Sequence, residues 1–222
     1  MMIPTPESSP REVIGLTATG PGSRGPYAKG QARRHRIIAA AFKAFGTVGY
    51  RNASMQQIAD DCGVTRAGLL HHFPTKESLL EAVLDEREYL ADQMFYKDGP
   101  PELEDGVEYF RRLLQVIEHN SRNPGIVSLF AVLSTEATDP AHPANAYFKA
   151  RYERALSRVR DAITNLAERD LIREGIDPRG IEIDIIALAD GLQVQWLLDP
   201  STVDMPQRLR AFLQAIVTVQ IP

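Results

Sequence analysis

Thr65, Arg66, Ala67 and Gly68, then His71, His72, Thr75 and Lys76, are residue types suited to gripping a nucleic-acid duplex. An arginine near a helix start can reach guanine O6 and N7 in the major groove, and small neighbours allow close approach. Ser54, Thr65, Thr75 and Lys76 fall at the starts of expected helices, where hydroxyls, free N–H groups and the helix dipole favour phosphate. Catalysis has no comparable pattern. The sequence contains no His-Glu-x-x-His, Glu-x-x-His or Gly-x-Ser-x-Gly motif and no phosphate-cradling glycine loop. His71 and His72, adjacent on a helix, would point about 100° apart and chelate poorly. His35, His119 and His142 are scattered. No catalytic residue, metal ligand or cofactor is expected.

Such contacts require two short helices held at a fixed angle. Ser54 is a good N-cap, and Gln57 three residues on has the spacing of a capping box. Gly63 supplies the left-handed turn that ends this helix. Thr65 caps a second helix, Phe73-Pro74 closes it, and Thr75 caps a third. Ala59 is the small residue at the crossing, while Ile58, Cys62, Val64, Leu69 and Phe73 form the shared apolar set. An isolated pair of this size buries too little surface. A preceding helix, expected over Ala32–Thr47, supplies the missing cover through Ile37, Ile38, Ala41, Phe42 and Phe45.

The pieces RRHRIIAAAFKAFGTVGYRNASMQQIADDCGV and TRAGLLHHFPTKESLLEAVL resemble the DNA-binding domain of the TetR family of bacterial transcriptional repressors. The match runs from Arg33 to about Glu88, including Gly49-Tyr50, the Gly63-Val64-Thr65 turn and the His71-to-Lys76 junction. Many members carry a tyrosine where this chain has Leu70. The resemblance implies DNA contact by Ser54, Thr65, Arg66, Ala67, Gly68, His71, His72, Thr75 and Lys76, in agreement with the reading from helix starts. It also implies a second, larger helical domain that holds a small molecule and forms a homodimer through its last two helices.

Charge is distributed to match. Residues 24–76 carry nine Arg or Lys against Asp60 and Asp61, a net +7, whereas residues 77–222 carry −10 within an overall −4. A basic block coinciding with the motif is the footprint of a nucleic-acid binder, and the acidic remainder repels DNA. The one cysteine, Cys62, excludes an intrachain disulfide and suits a reducing cytoplasm, and no stretch reaches the length of a membrane span.

The expected organisation is all-α. Residues 1–30, rich in Pro, Gly, Ser and Thr, read as a disordered tail, with Arg24, Lys29, Arg33 and Arg34 as a basic arm at its end. Residues 31–76 form the three-helix DNA-binding domain and residues 77–222 an α-helical ligand-binding and dimerisation domain. A long helix from Thr75 to Tyr96, ending before Gly99-Pro100-Pro101, would link the two mechanically. Further helices are expected from Leu103, from Asn123-Pro124, after the Thr138–Ala144 loop, from Asp177-Pro178 and from Met205. The helix after Pro178 is apolar nearly all round and must be covered on several sides. The last one presents Leu209, Phe212, Leu213, Ile216 and Val217 on one face as a candidate dimer stripe, whereas Arg151, Arg154 and Arg158 read as a solvated face. Candidate pocket residues are Phe110, Leu114, Phe130, Ser134, Tyr152, Gln193 and Trp196, so an apolar or aromatic effector is expected. The expected partners are a double-stranded DNA operator, a second copy of the chain and an unidentified small molecule, with no membrane. A regulator without an effector, or a helical enzyme retaining the motif as scaffold, are the other readings the sequence leaves open.

Overall fold

The structure, a computed structural model, describes residues 26–95 and 105–222. These residues form α1 (Pro26–Asn52), α2 (Met55–Asp61), α3 (Arg66–His72), α4 (Lys76–Phe95), α5 (Gly106–Ser121), α6 (Pro124–Glu136), α7 (Asn145–Glu168), α8 (Ile181–Leu198) and α9 (Met205–Ile216). One antiparallel bridge, Ile172 with Val217, is the extended pairing seen among the described residues.

The local signals at the motif act as their chemistry demands. Ser54 Oγ accepts the Gln57 N–H at 3.5 Å, a long bond, while the Gln57 amide turns forward to Asp61 and leaves the capping box half made. Thr65 Oγ1 accepts the Gly68 N–H at 3.0 Å. At the start of α4 the box is complete: Ser78 N–H donates to Thr75 Oγ1 at 3.1 Å, and Thr75 N–H donates to Ser78 Oγ at 3.2 Å. Gly63 turns the chain with φ 67°.

Several boundaries differ from expectation. α1 begins at Pro26, six residues before Ala32, so Lys29 rides on the helix and Arg33 and Arg34 lie within it rather than at its start. The tail reading for residues 1–25, including Arg24, lies outside the described residues, as do Tyr96, Leu103 and the Gly99-Pro100-Pro101 break. α6 does start at Pro124, but Asn123 does not cap it; its amide donates instead to His119 O at the end of α5, at 2.7 Å. α8 starts at Ile181, because Gly180 before it is left-handed with φ 87°, while Arg179 wraps the Asp177 carboxylate with both its backbone N–H and its guanidinium.

Two apolar cores organise the packing. The first joins α1–α4 through side chains such as Phe45, Ile58, Leu69 and Leu79, and extends to Leu129 and Leu133 of α6. The second joins α5, α7, α8 and α9 around Phe110, Val159, Ile185 and Leu213. Val127 of α6 belongs to this second core. α6 is therefore shared, one face in each core. The sequence-derived dimer stripe is corrected here: Leu209, Leu213, Ile216 and Val217 are buried within the chain's own second core and Phe212 packs against it. A one-sided stripe reports burial; it does not tell whether the cover comes from the same chain.

Candidate nucleic-acid interface and adjoining cavity

Ser54, Thr65, Arg66, Ala67 and His71 are exposed, with Gly68 and His72 half-buried beside them. Ile58, Ala59, Leu69 and Phe73 are buried beneath, so one side of α3 is packed and the other is free. The His71 and His72 rings meet edge-on with centroids 5.6 Å apart. Burial, the neighbouring His71 and the positive charges of Arg33 and Arg34 all push the His72 pKa below its ordinary value. His72 is thus a neutral donor or acceptor near pH 7. Among the described residues, no group of three His, Cys, Asp or Glu side chains could hold a metal.

Lys76, expected to contact phosphate, is half-buried at the start of α4. Its Nζ donates to the Arg51 carbonyl at 3.2 Å and lies 4.5 Å from the centre of the Tyr50 ring. Partial burial lowers its pKa, and the ammonium closes the end of α1. Arg34 stacks 5.1 Å over Phe73, bringing the basic residues of α1 to the end of α3. Arg33 and Arg36 remain exposed on α1. No local spacing could show this placement, because Arg34 and Phe73 lie on different helices and far apart in the chain.

The end of α1 is tied to the end of α6. Tyr50 N–H donates to Glu136 Oε2 at 2.7 Å, and the Tyr50 hydroxyl donates to Glu77 at 2.6 Å. Burial is the main cause holding the Tyr50 hydroxyl protonated well above its ordinary pKa. Gly49, with φ 78°, makes this contact possible: a Cβ there would lie 2.3 Å from the Glu136 carboxylate. His142 is buried, its Nε2 lies 3.6 Å from Glu136 Oε2, and its ring packs edge-on against Tyr50 at 5.0 Å. Burial depresses the His142 pKa despite that carboxylate. Arg51 and Asp139 add an ion pair. Nothing in the sequence spacing joined His142 to Glu136, since a loop intervenes.

Between α5, α6, α7, α8 and the start of α9 lies a cavity of about 180 Å³. Phe130, Ser134, Tyr152 and Gln193 of the expected pocket set line it. Phe110, Leu114 and Trp196 do not; all three are buried in the second core. Helix rotation explains the difference, because Tyr109, Leu113 and Val116 at steps of three to four form the neighbouring stripe of α5 that borders the cavity. Two charged side chains also line it, Arg151 and Asp190. Arg151 is therefore corrected from the solvated face: its guanidinium sits 4.4 Å from the Phe130 ring centre. Arg154 does pair with Glu88, as a surface arginine should. Asp190 accepts the Tyr152 hydroxyl at 2.7 Å. Its acidity is weakened by burial, with Tyr152 and Arg151 pulling the other way. An aspartate inside the apolar run of α8 was the signal available in the sequence.

α8 carries an uncovered apolar face with three exposed large side chains. Ile183 is 59% exposed, Val194 52% and Leu198 82%. Ala187 is exposed between them, and a Cβ on Gly191 would meet nothing within 4 Å. None of the helices is long and apolar enough to cross a membrane, among the described residues.

Comparison with known proteins agrees with this architecture. Residues 37–83 match the family described as bacterial regulatory proteins, tetR family, and residues 125–222 match the C-terminal region of BetI-type transcriptional repressors. The HTH-type transcriptional regulator PksA of Bacillus subtilis is 25% identical over 194 residues, covering 85% of this chain and 90% of that protein. TtgR of Pseudomonas putida, also an HTH-type transcriptional regulator, is 26% identical over 178 residues, covering 79% and 85%. Among solved structures, a transcriptional regulator from Saccharomonospora viridis in complex with choline superposes with a TM-score of 0.70 at 23% identity, covering 85% of this chain and all (100%) of that one. A SmeT–triclosan complex gives 0.68 at 19% identity, covering 86% and 95%. At these identities the structures share the fold.

Proposed function

The chain belongs to the TetR family of bacterial DNA-binding transcriptional regulators, and from that membership we propose a homodimeric repressor that a small, largely apolar ligand releases from its operator. The observation that carries this reading is the position of α6. One of its faces lines the cavity through Phe130 and Ser134, and its end holds Tyr50, two residues before the segment that leads into α2. A ligand that repositions α6 would move the end of α1, and α2 and α3 with it. Only a ligand with different affinity for the two arrangements shifts their populations. This route through α6 supplements the one expected along α4. Relatives whose structures hold choline or triclosan support a ligand-responsive reading.

In this reading Arg66, Thr65, Ala67, Gly68 and His71 face the major groove, while Ser54 and Thr75 contact phosphate. Lys76 acts indirectly by fixing the end of α1. The partner copy covers the α8 face of Ile183, Val194 and Leu198, which sets the spacing of two recognition helices.

The test begins by selecting bound fragments from a genomic DNA pool and measuring their affinity by fluorescence anisotropy. A compound library is then screened for loss of binding, where coupling of about 1–3 kcal/mol is typical of such systems. Failure to enrich any fragment would overturn the DNA-binding role. Enriched operator with no releasing compound would leave a regulator without an effector. Val194→Glu with Leu198→Glu should give folded monomers that lose operator affinity; a dimer surviving both substitutions would put the interface elsewhere.

A further inference from the structure

The cavity has two charges in its wall, and they are not paired with each other. Asp190 and Arg151 have no ion-pair partner within 4.0 Å among the described residues. Tyr152 occupies one carboxylate oxygen of Asp190, and the Arg151 guanidinium is held over Phe130 and beside the Tyr147 hydroxyl. The two charges nevertheless sense each other, since Arg151 holds down the pKa of Asp190 against the effect of burial. One turn beyond Asp190, on the same side of α8, the Gln193 amide also lacks a hydrogen-bond partner among the described residues and lines the same space. The rest of the wall is mainly apolar, with Ile126, Ile186 and Leu192 among its side chains.

A half-buried carboxylate without a counter-ion is costly, and a half-buried guanidinium also gains from an anion. A cationic ligand would relieve Asp190 but would face Arg151. An anionic ligand would relieve Arg151 but would face Asp190. A molecule carrying both charges on one end relieves both at once and leaves its apolar body against α5 and α6. The cavity, at about 180 Å³, is smaller than the roughly 300–1,000 Å³ of drug-sized sites, which favours a small occupant.

We infer that the effector is a small zwitterion with an apolar body, its ammonium group on Asp190 and its carboxylate on Arg151, with Gln193 beside Asp190. The inference rests on the ligand-release reading above and specifies the chemistry of that ligand.

The test uses three probes with one apolar body and different heads: L-phenylalanine, phenethylamine and 3-phenylpropanoate. Each is titrated calorimetrically into the full chain, and thermal melts of every variant establish that it folds. L-phenylalanine should bind about tenfold or more tighter than either singly charged probe, as expected for one additional charged hydrogen bond. Asp190→Asn should weaken L-phenylalanine and the amine about 10–100-fold and spare the acid. Arg151→Gln should weaken L-phenylalanine and the acid while sparing the amine. If Asp190→Asn does not fold, Tyr152→Phe serves instead, removing the hydroxyl that orients Asp190 and weakening the amine and L-phenylalanine together. Amine binding as tight as L-phenylalanine and indifferent to Arg151→Gln would overturn the inference in favour of a cation site. The mirror result would make it an anion site, and no binding by any probe at about millimolar concentration would overturn it outright. None of these outcomes bears on operator binding or on its release by other compounds, so the repressor reading stands or falls separately.

Discussion

The helix-turn-helix and the cavity are built on opposite plans. At the first, every candidate contact from Ser54 to Lys76 comes from one short stretch of chain, oriented by its own caps and turn. At the second, Tyr109, Phe130, Tyr152 and Asp190 come from four helices and converge only after long-range packing. A local site tolerates loose tertiary surroundings, whereas a convergent one depends on the register of every helix around it. α6 belongs to both cores and joins the two plans.

The sharpest way to break that comparison is to damage the shared helix. Leu129 is fully buried where α6 meets α1, and the backbone approach there is close enough that a Cβ on Gly46 would lie 3.2 Å from Leu129 N. Leu129→Ala should cost about 2–5 kcal/mol. If the two cores form one cooperative unit, chemical denaturation followed by circular dichroism and by Trp196 fluorescence will show coincident transitions. Separate transitions would mean that α6 does not couple the regions.

Next in size are the DNA contacts. Arg66→Ala should cost about 1–3 kcal/mol at its preferred base pair and relax specificity there. Lys76→Ala should leave the salt dependence of binding unchanged, because its ammonium is engaged with Arg51 O and Tyr50, and should instead lower the melting temperature. A fall of about one in the salt-slope magnitude for Lys76→Ala would return it to the phosphate contacts.

A smaller effect concerns pH. His142 has a depressed pKa in the folded state, so the unfolded chain takes up a proton first as pH falls below about 6.5. Stability is therefore intact above that pH and declines between it and the lower folded value, then levels off. His72 contributes a parallel decline. His142→Gln should remove its share of the slope and leave that of His72, and melting curves from pH 5 to 8 will measure it. The smallest effect belongs to Ser54→Ala. The cap bond is long at 3.5 Å, so the loss should fall near the lower end of the roughly 0.5–2 kcal/mol range, below that of Thr65→Ala.

By itself, the sequence determined the helix-turn-helix, the all-α class and most helix positions. Caps, glycine turns and apolar spacing act within a few residues, so Ser54, Gly63, Thr65, Phe73 and Pro124 carry their instructions with them. It also marked Phe130, Ser134, Tyr152 and Gln193 as residues of the cavity. Only the tertiary structure decided that Phe110, Leu114 and Trp196 are core, that the α9 stripe turns inward, and that Arg151 joins Asp190 in the cavity wall. It alone brought His142 and Glu136 against Tyr50. The physical reason is that apolar periodicity records that a face is buried, whereas the identity of what covers it depends on helix rotation and on loops that no local pattern encodes.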